Sequence, residues 1–327
     1  MSYTGLIAGF AILLVSGDLL VRAASALAAR LGIPALIVGL TVVAFGTSAP
    51  EIFVSLQAAL RDAPGIALGN VVGSNIANIF LVLGVPGLAR AIGCDQPGIA
   101  RNACYATGTT LLFIAMCYFG PLTLWHGVIL FGLLLLFLLK SALDNRKARH
   151  TGMGSETNEQ GGGAGILDTL SDKPVLLASA LIVSLVGLPL GGAVIIDCAT
   201  AIAHDFGVSK AAIGLTIIAL GTSLPELATS FFAALRGHSG IVLGNVLGSN
   251  LFNILAVAGL VAMIMPIPIP PVMLHRDLWI MLAAMLAVLP FCLKRSTISR
   301  PIAALFTFAY IVYVIFVLMS DHGGMAP

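Results

Sequence analysis

The sequence predicts an all-α integral membrane protein of ten transmembrane helices, arranged as two inverted five-helix repeats. Three observations predict it. Hydrophobic residues make up 59% of the 327-residue chain and charged residues 9%, against roughly 25% charged in ordinary soluble domains. Apolar runs of bilayer length recur from one end to the other. A segment of the first half returns, ungapped, 175 residues later in the second.

A hydrocarbon core about 30 Å thick takes roughly 20 apolar residues per helix. Ten stretches qualify: 4–29, 34–60, 66–89, 102–119, 122–140, 175–203, 210–235, 241–264, 277–293 and 301–320. The first lacks a basic flank and is too long for a signal-peptide core, so it reads as a membrane helix. Between the fifth and sixth lies the one long polar segment, Asp144–Lys173, with a Gly162–Gly163 run. It reads as a flexible linker between repeats 1–143 and 174–327.

Lys and Arg set the orientation. With the N-terminus outside, the cytoplasmic side receives Arg30, Arg90, Arg101, Lys140, Arg146, Lys147, Arg149, Lys173, Arg236, Lys294, Arg295 and Arg300. The outside receives Arg61, Lys210 and Arg276, and Arg22 lies within the first helix. This positive-inside bias places both termini outside the cell membrane and the linker in the cytoplasm.

The same composition narrows the function classes. A net charge of +2 with scattered basic residues gives no nucleic-acid footprint. The cysteines (Cys94, Cys104, Cys117, Cys198 and Cys292) sit singly, with no C-x-x-C pair. No cofactor and no obligate protein partner is expected; the partners are the lipid bilayer and ions. The Phe-rich stretches 131–137 and 302–316 read as lipid-facing. Asp18 and Arg22 have i, i+4 spacing and read as a neutralising pair near a helix end. Asp197 aligns with Arg22 across the repeat, which leaves an Asp197–Arg22 contact open.

Residues 46–79, GTSAPEIFVSLQAALRDAPGIALGNVVGSNIANI, meet residues 221–254, GTSLPELATSFFAALRGHSGIVLGNVLGSNLFNI, with 21 identities in 34 positions. Five helices per half is an odd number, so the two copies cross the membrane in opposite senses. Inverted repeats with Gly/Pro-broken helices mark secondary transporters, and the breaks point to a midplane binding site.

Glu51 and Glu226 are the only Glu residues inside the expected helices. An acid at the bilayer centre costs about 2.5–3.5 kcal/mol on insertion scales, which makes each a functional candidate. Pro50 and Pro225 precede them, and a proline clashes with the carbonyl four residues back, here Gly46 or Gly221. Backbone oxygens freed at such depth must line a cavity or meet an ion. From Glu51 to Arg61 a helix climbs about 15 Å, and from Gly65 to Asn78 the next descends about 20 Å. Ser74 and Asn78 thereby return to the level of Glu51, and Ser249 and Asn253 to that of Glu226. Every ligand in this set is an oxygen. Ca²⁺ takes six to eight oxygens in a flexible cage, whereas Mg²⁺ keeps its waters; softer metals would want His or Cys. The G-x-x-x-G spacings Gly69–Gly73 and Gly244–Gly248 also fit plain helix packing.

The G-T-S-x-P-E motifs (Gly46–Glu51, Gly221–Glu226), followed by G-N-x-x-G-S-N-x-x-N (Gly69–Asn78, Gly244–Asn253), resemble the cation/calcium exchanger superfamily. The similarity is greatest to its bacterial and archaeal sodium/calcium antiporter branch, and it covers essentially the whole chain. The resemblance implies that Glu51 and Glu226 bind Ca²⁺ with backbone oxygens of Thr47 and Thr222. It implies Na⁺ sites at Ser48, Ser223, Ala44, Ala219, Ser74 and Ser249, with Asn78 and Asn253 in the central cluster. Some relatives, the potassium-dependent ones among them, carry Asp at the position of Asn253; the neutral amide argues against K⁺ dependence.

Sodium/calcium antiport by alternating access is the expected function, with calcium and sodium as the transported ions. Three rivals stand beside it. A proton/calcium antiporter of this superfamily would resemble G-N-x-x-E in its first motif. A passive channel would want a ring of filter carbonyls. A membrane enzyme would want a nucleophile or metal-binding His beside the glutamates.

Overall fold

The computed structural model describes residues 2–61, 63–150, 173–205 and 219–322. Among these residues twelve helical elements follow one another: α1 (Ser2–Leu31), α2 (Ala35–Thr47), α3 (Ala49–Leu60), α4 (Pro64–Ala89), α5 (Ile99–Tyr118), α6 (Leu124–His150), α7 (Pro174–Asp205), α8 (Ala219–Thr222), α9 (Leu224–Leu235), α10 (Ser239–Ile264), α11 (Met273–Lys294) and α12 (Arg300–His322). Among the described residues seven helices are long and apolar enough to cross a bilayer, or eight when the bent pair α2–α3 is taken as one. At twenty residues α5 is long enough by geometry, but it stands outside that set; Arg101 exposed and Asn102, Thr107 and Thr110 buried lower its apolar character. The expected span 210–235 is described only from Ala219, and the centre of the expected linker, 151–172, lies outside the described residues. The fifth span stays helical to His150, beyond the boundary near residue 140 that hydropathy suggests. Its continuation, Ser141–His150, is rich in Ala, Leu, Lys and Arg, good helix formers that carry a helix past its apolar part.

Among the seven described spans α10 is the most buried and α4 follows it. Large apolar side chains cover the outer faces, among them Val15 on α1, Leu136 on α6, Val175 and Ile182 on α7, and Phe308 on α12. Buried polar residues and an apolar outside are what lipid requires. The Phe-rich stretches are not uniformly lipid-facing. Phe137 packs edge-on against Tyr105, ring centroids 6.3 Å apart, and Phe306 lies 6.0 Å from Phe80. Both are buried. A helix apolar all round must still turn one face to its neighbours, so hydropathy alone does not separate core from lipid.

Close approach fixes how α10 sits on α2. A Cβ on Gly244 would lie 2.5 Å from the Leu36 carbonyl oxygen, and one on Gly248 would lie 2.6 Å from Ala44 Cβ. Glycine at both positions lets the backbones touch, which is the small-residue packing expected of membrane helices. The equivalent partners of Gly69 and Gly73 would be residues 211–219, of which 211–218 lie outside the described residues.

The loops gather at two ends. Arg90 Nη1 donates to the Leu235 carbonyl at 3.3 Å, Gly93 N to Ser239 Oγ at 3.2 Å, and Cys94 N to the Ser296 carbonyl at 3.3 Å. A short antiparallel pair, β1 (Ile92–Gly93) and β2 (Thr297–Ile298), joins the same loops. At the far end of α5, Leu122 and Ile267 exchange backbone hydrogen bonds of 2.9 and 2.8 Å. Each set unites loops that the charge pattern assigns to one side.

Asp18 lies in the middle of α1 rather than near its end. Its carboxylate accepts from Arg22 Nε at 2.8 Å and from Arg236 Nε at 2.9 Å, and also from Arg236 Nη2. Arg236 follows α9, so a half-buried carboxylate ties α1 to the start of the α9–α10 loop. The contact left open between Arg22 and Asp197 is not made: one helical turn puts Arg22 on the face of Asp18, and Asp197 is exposed.

Candidate functional site

Both copies of the repeat break their helix at the same place. Helix α2 ends at Thr47 and α3 restarts at Ala49, bent by 41°. Ser48 at the joint has φ −84° and ψ 7°; Ser223, at the joint of α8 and α9, has φ −88° and ψ 3°. These are turn rather than helix values. Pro50 and Pro225 sit in the first turn of the restarted helix, where their missing N–H leaves no extra gap. Glu51 and Glu226 occupy that same turn. Just before the first break, Gly39–Val43 is a π-helical turn, a distortion common at functional sites.

The two glutamates are buried, at 1% and 0% exposure. Among the described residues neither has a Lys, Arg or His within ion-pair reach. Buried carboxylates without a basic partner are costly unless a bound cation or a proton neutralises them. The halves interlock around them. Ser48 Oγ, one turn before Glu51, donates to Glu226 Oε1 at 3.0 Å, so the two acids share one site. Asn78 Nδ2 donates to Asn250 Oδ1 at 3.0 Å. Thr47 Oγ1 donates to Asn245 Oδ1 at 3.1 Å and lies 3.4 Å from the Ala44 carbonyl; Thr222 Oγ1 donates to Asn70 Oδ1 at 3.3 Å.

Among the described residues several buried polar atoms have no hydrogen-bond partner. They are Glu51 Oε2, Glu226 Oε2, Ser74 Oγ, Ser249 Oγ, Ser223 Oγ, Asn78 Oδ1 and both amide atoms of Asn253, together with Ser25 Oγ, Asn75 Oδ1 and Thr229 Oγ1. Buried polar atoms are almost always satisfied, and here the unsatisfied ones fall mainly on the residues that the repeat singles out. Nearly all are oxygens, which suits a hard cation. No group of three or more His, Cys, Asp or Glu side chains gathers among the described residues, so an oxygen cage here would need hydroxyl, amide or backbone oxygens beside the carboxylates.

The expected residues therefore divide. Ser48 bonds Glu226 directly, Thr47 reaches the Glu226 backbone through Asn245, and Thr222 reaches the Glu51 backbone through Asn70, while Asn78 bonds Asn250. Ser74, Ser249, Ser223 and Asn253 are buried with free polar atoms. Ala44 lies in the last turn of α2 and Ala219 opens α8; the Ala219 side chain lies outside the described set. Sequence reasoning misses Asn70, Asn245, Asn250, Ser55 and Ser230, although each belongs to an identical pair 175 residues apart: 70/245, 75/250 and 55/230.

The family model described as "Sodium/calcium exchanger protein" matches residues 1–142 and 176–319. The inner membrane protein YrbG of Escherichia coli is 36% identical over 311 residues, 94% of each chain. The sodium/calcium exchanger MaX1 of Methanosarcina acetivorans is 28% identical, covering 95% of this chain and 96% of its own. Among solved structures, that of the sodium-calcium exchanger NCX_Mj soaked with Na⁺ and Sr²⁺ superposes with a TM-score of 0.81, at 30% identity, over 96% of this chain and 97% of that one. The chain belongs to the sodium/calcium exchanger protein family.

Proposed function

We propose that this chain exchanges sodium for calcium across the membrane by alternating access, with Glu51 and Glu226 as the central ligands. It is a transporter rather than an enzyme, and calcium and sodium are its cargo. The observation that carries the site is the pair of fully buried carboxylates, each on the first turn after a helix break and neither, among the described residues, paired with a basic side chain. Two carboxylates balance one divalent charge. Backbone oxygens of Thr47 and Thr222 complete the calcium shell. Hydroxyls of Ser48, Ser223, Ser74 and Ser249 and carbonyls of Ala44 and Ala219 serve sodium, with Asn78 and Asn253 between the halves. The two ions use overlapping oxygens, so loading one displaces the other, which is the condition for antiport. Uptake of ⁴⁵Ca²⁺ into proteoliposomes tests this. An outward Na⁺ gradient should drive it and its collapse should stop it. Uptake that follows a pH gradient and ignores Na⁺ would make the protein a proton/calcium antiporter, and uptake without any counter-ion would make it a channel.

The finer architecture is part of the proposal: ten spans, repeats 1–143 and 174–327 inverted about the linker, and both termini outside a cell membrane. The positive-inside pattern and the two clusters of joined loops support it. Labelling of single cysteines with a membrane-impermeant reagent should find Ser155 and the 236–239 loop cytoplasmic and the 61–64 loop outside. If residues 62 and 238 label from the same side, the inverted arrangement is wrong.

A further inference from the structure

Asn70 and Asn245 stand 175 residues apart, on α4 and α10, and make the same three bonds. Asn70 Nδ2 donates to the Glu51 carbonyl at 3.3 Å and to Ser55 Oγ at 2.9 Å, while its Oδ1 accepts from Thr222 Oγ1 at 3.3 Å. Asn245 Nδ2 donates to the Glu226 carbonyl at 3.2 Å and to Ser230 Oγ at 3.0 Å, while its Oδ1 accepts from Thr47 Oγ1 at 3.1 Å. Both amides are buried, Asn245 completely. Both N–H groups of each are in use, and an amide N–H cannot ligate a cation. Each amide links the turn that carries its own half's glutamate to the last residue before the other half's helix break.

The other bonds between halves are not shared in this way. Ser48 donates to Glu226, but its twin Ser223 has a buried hydroxyl with no partner, as has Glu51 Oε2. Asn78 donates to Asn250, but the twin atoms Asn253 Nδ2 and Asn75 Oδ1 are both buried and unpartnered. Among the described residues the asparagine–threonine link holds in both halves while these other bonds between halves do not.

We propose that Asn70 and Asn245 are positioning residues, a pair of cross-braces that hold the two broken helices at a fixed separation and so set the size of the cation cage. This rests on the exchange function proposed above. Size and flexibility of an oxygen cage govern which divalent ion it prefers. A slackened cage should bind calcium less well and discriminate less against larger ions.

The test is a pair of double-mutant cycles on the full-length protein in proteoliposomes: Thr47→Val with Asn245→Ala, and Thr222→Val with Asn70→Ala. Each single variant should raise the KM for Ca²⁺ by about tenfold, with the maximal rate changed by less than about threefold, since a misplaced first shell is felt in binding. The relative rates for Sr²⁺ and Ba²⁺ should rise against Ca²⁺. Each double variant should be no worse than its worse single, because the Thr–Asn bond that the threonine change removes is already lost in the asparagine variant. Multiplied effects within a cycle, or a fall in maximal rate with KM and Sr²⁺:Ca²⁺ ratio unchanged, would overturn the brace. Thr47→Val and Thr222→Val leave the asparagine bonds within its own half intact, so they carry the test where an asparagine variant fails to fold. The same cycles read by thermal unfolding without divalent ions separate this idea from the exchange function. Non-additive loss there supports the brace even in a protein that carries no calcium, and additive loss overturns it.

Discussion

Glu51→Gln and Glu226→Gln should each abolish Na⁺-driven Ca²⁺ uptake while the protein still folds. Glutamine keeps the size of the side chain and one of its oxygens, so packing around the first turn of α3 or α9 changes little. What goes is one negative charge. At 4 Å and an effective dielectric of about 20, two unit charges interact by about 4 kcal/mol, so a divalent ion loses on the order of twice that from one carboxylate. Dehydration of the free carboxylate offsets part of this. A remainder of about 4 kcal/mol is already a thousandfold in affinity. Both acids are fully buried and share the site through Ser48, so neither can stand in for the other. A folded substitution also relieves the burial of an uncompensated charge, and each variant should therefore melt no lower than the parent when divalent ions are withheld. Ca²⁺ flux near the parent rate in either well-folded variant would sink the site assignment.

How far the sequence carries this site is a matter of which physics acts on single residues. A lone acid among apolar residues is visible as such, and so is a proline immediately before it; Glu51, Pro50 and their twins stand out for that reason. The joint at Ser48 and Ser223 follows from the same prolines. The 175-residue offset does further work, because it doubles each signal. Partnerships are harder. Nothing in the spacing of Asn70 says that its carbonyl oxygen will accept from Thr222, since that bond depends on how α4 and α8 cross. Asp18 likewise announces Arg22, one turn away, but not Arg236, which reaches it from another helix. Phe137 and Phe306 fail as lipid-facing residues because a wholly apolar helix has no periodicity from which to read its inner face. Asn250 shows the limit most plainly: it looks like its twin Asn75, yet in this structure one oxygen is partnered and the other is not.

The ion that drives exchange should be Na⁺ without K⁺, and Asn253 is the residue on which that turns. It is fully buried at the start of the π-helical turn Asn253–Ala258, with both amide atoms unpartnered. An amide oxygen is a neutral ligand. With Glu51 and Glu226 as the acids, the cage balances two positive charges, enough for one Ca²⁺ or two Na⁺. A further monovalent ion would bring an uncompensated charge into a low-dielectric site, where it costs far more than in water. Uptake of ⁴⁵Ca²⁺ should therefore rise with the Na⁺ gradient and be indifferent to K⁺ on either side. Asn253→Asp adds a third acid of almost the same shape. It should change the Na⁺ dependence and maximal rate by about tenfold, since one unit of charge at this range exceeds the roughly 1.4 kcal/mol that a tenfold change represents. It should also introduce sensitivity to K⁺ or to pH, because the new carboxylate has to be neutralised by a bound cation or a proton whenever calcium leaves. Asn78→Asp, with its amide nitrogen held by Asn250, would in addition lose that bond and should be the more damaging of the two. Measuring initial rates against Na⁺, K⁺ and pH for the parent and the Asn253→Asp variant decides it. If the parent already requires K⁺, or if the variant's ion dependence matches the parent's, then Asn253 does not face the transported ions.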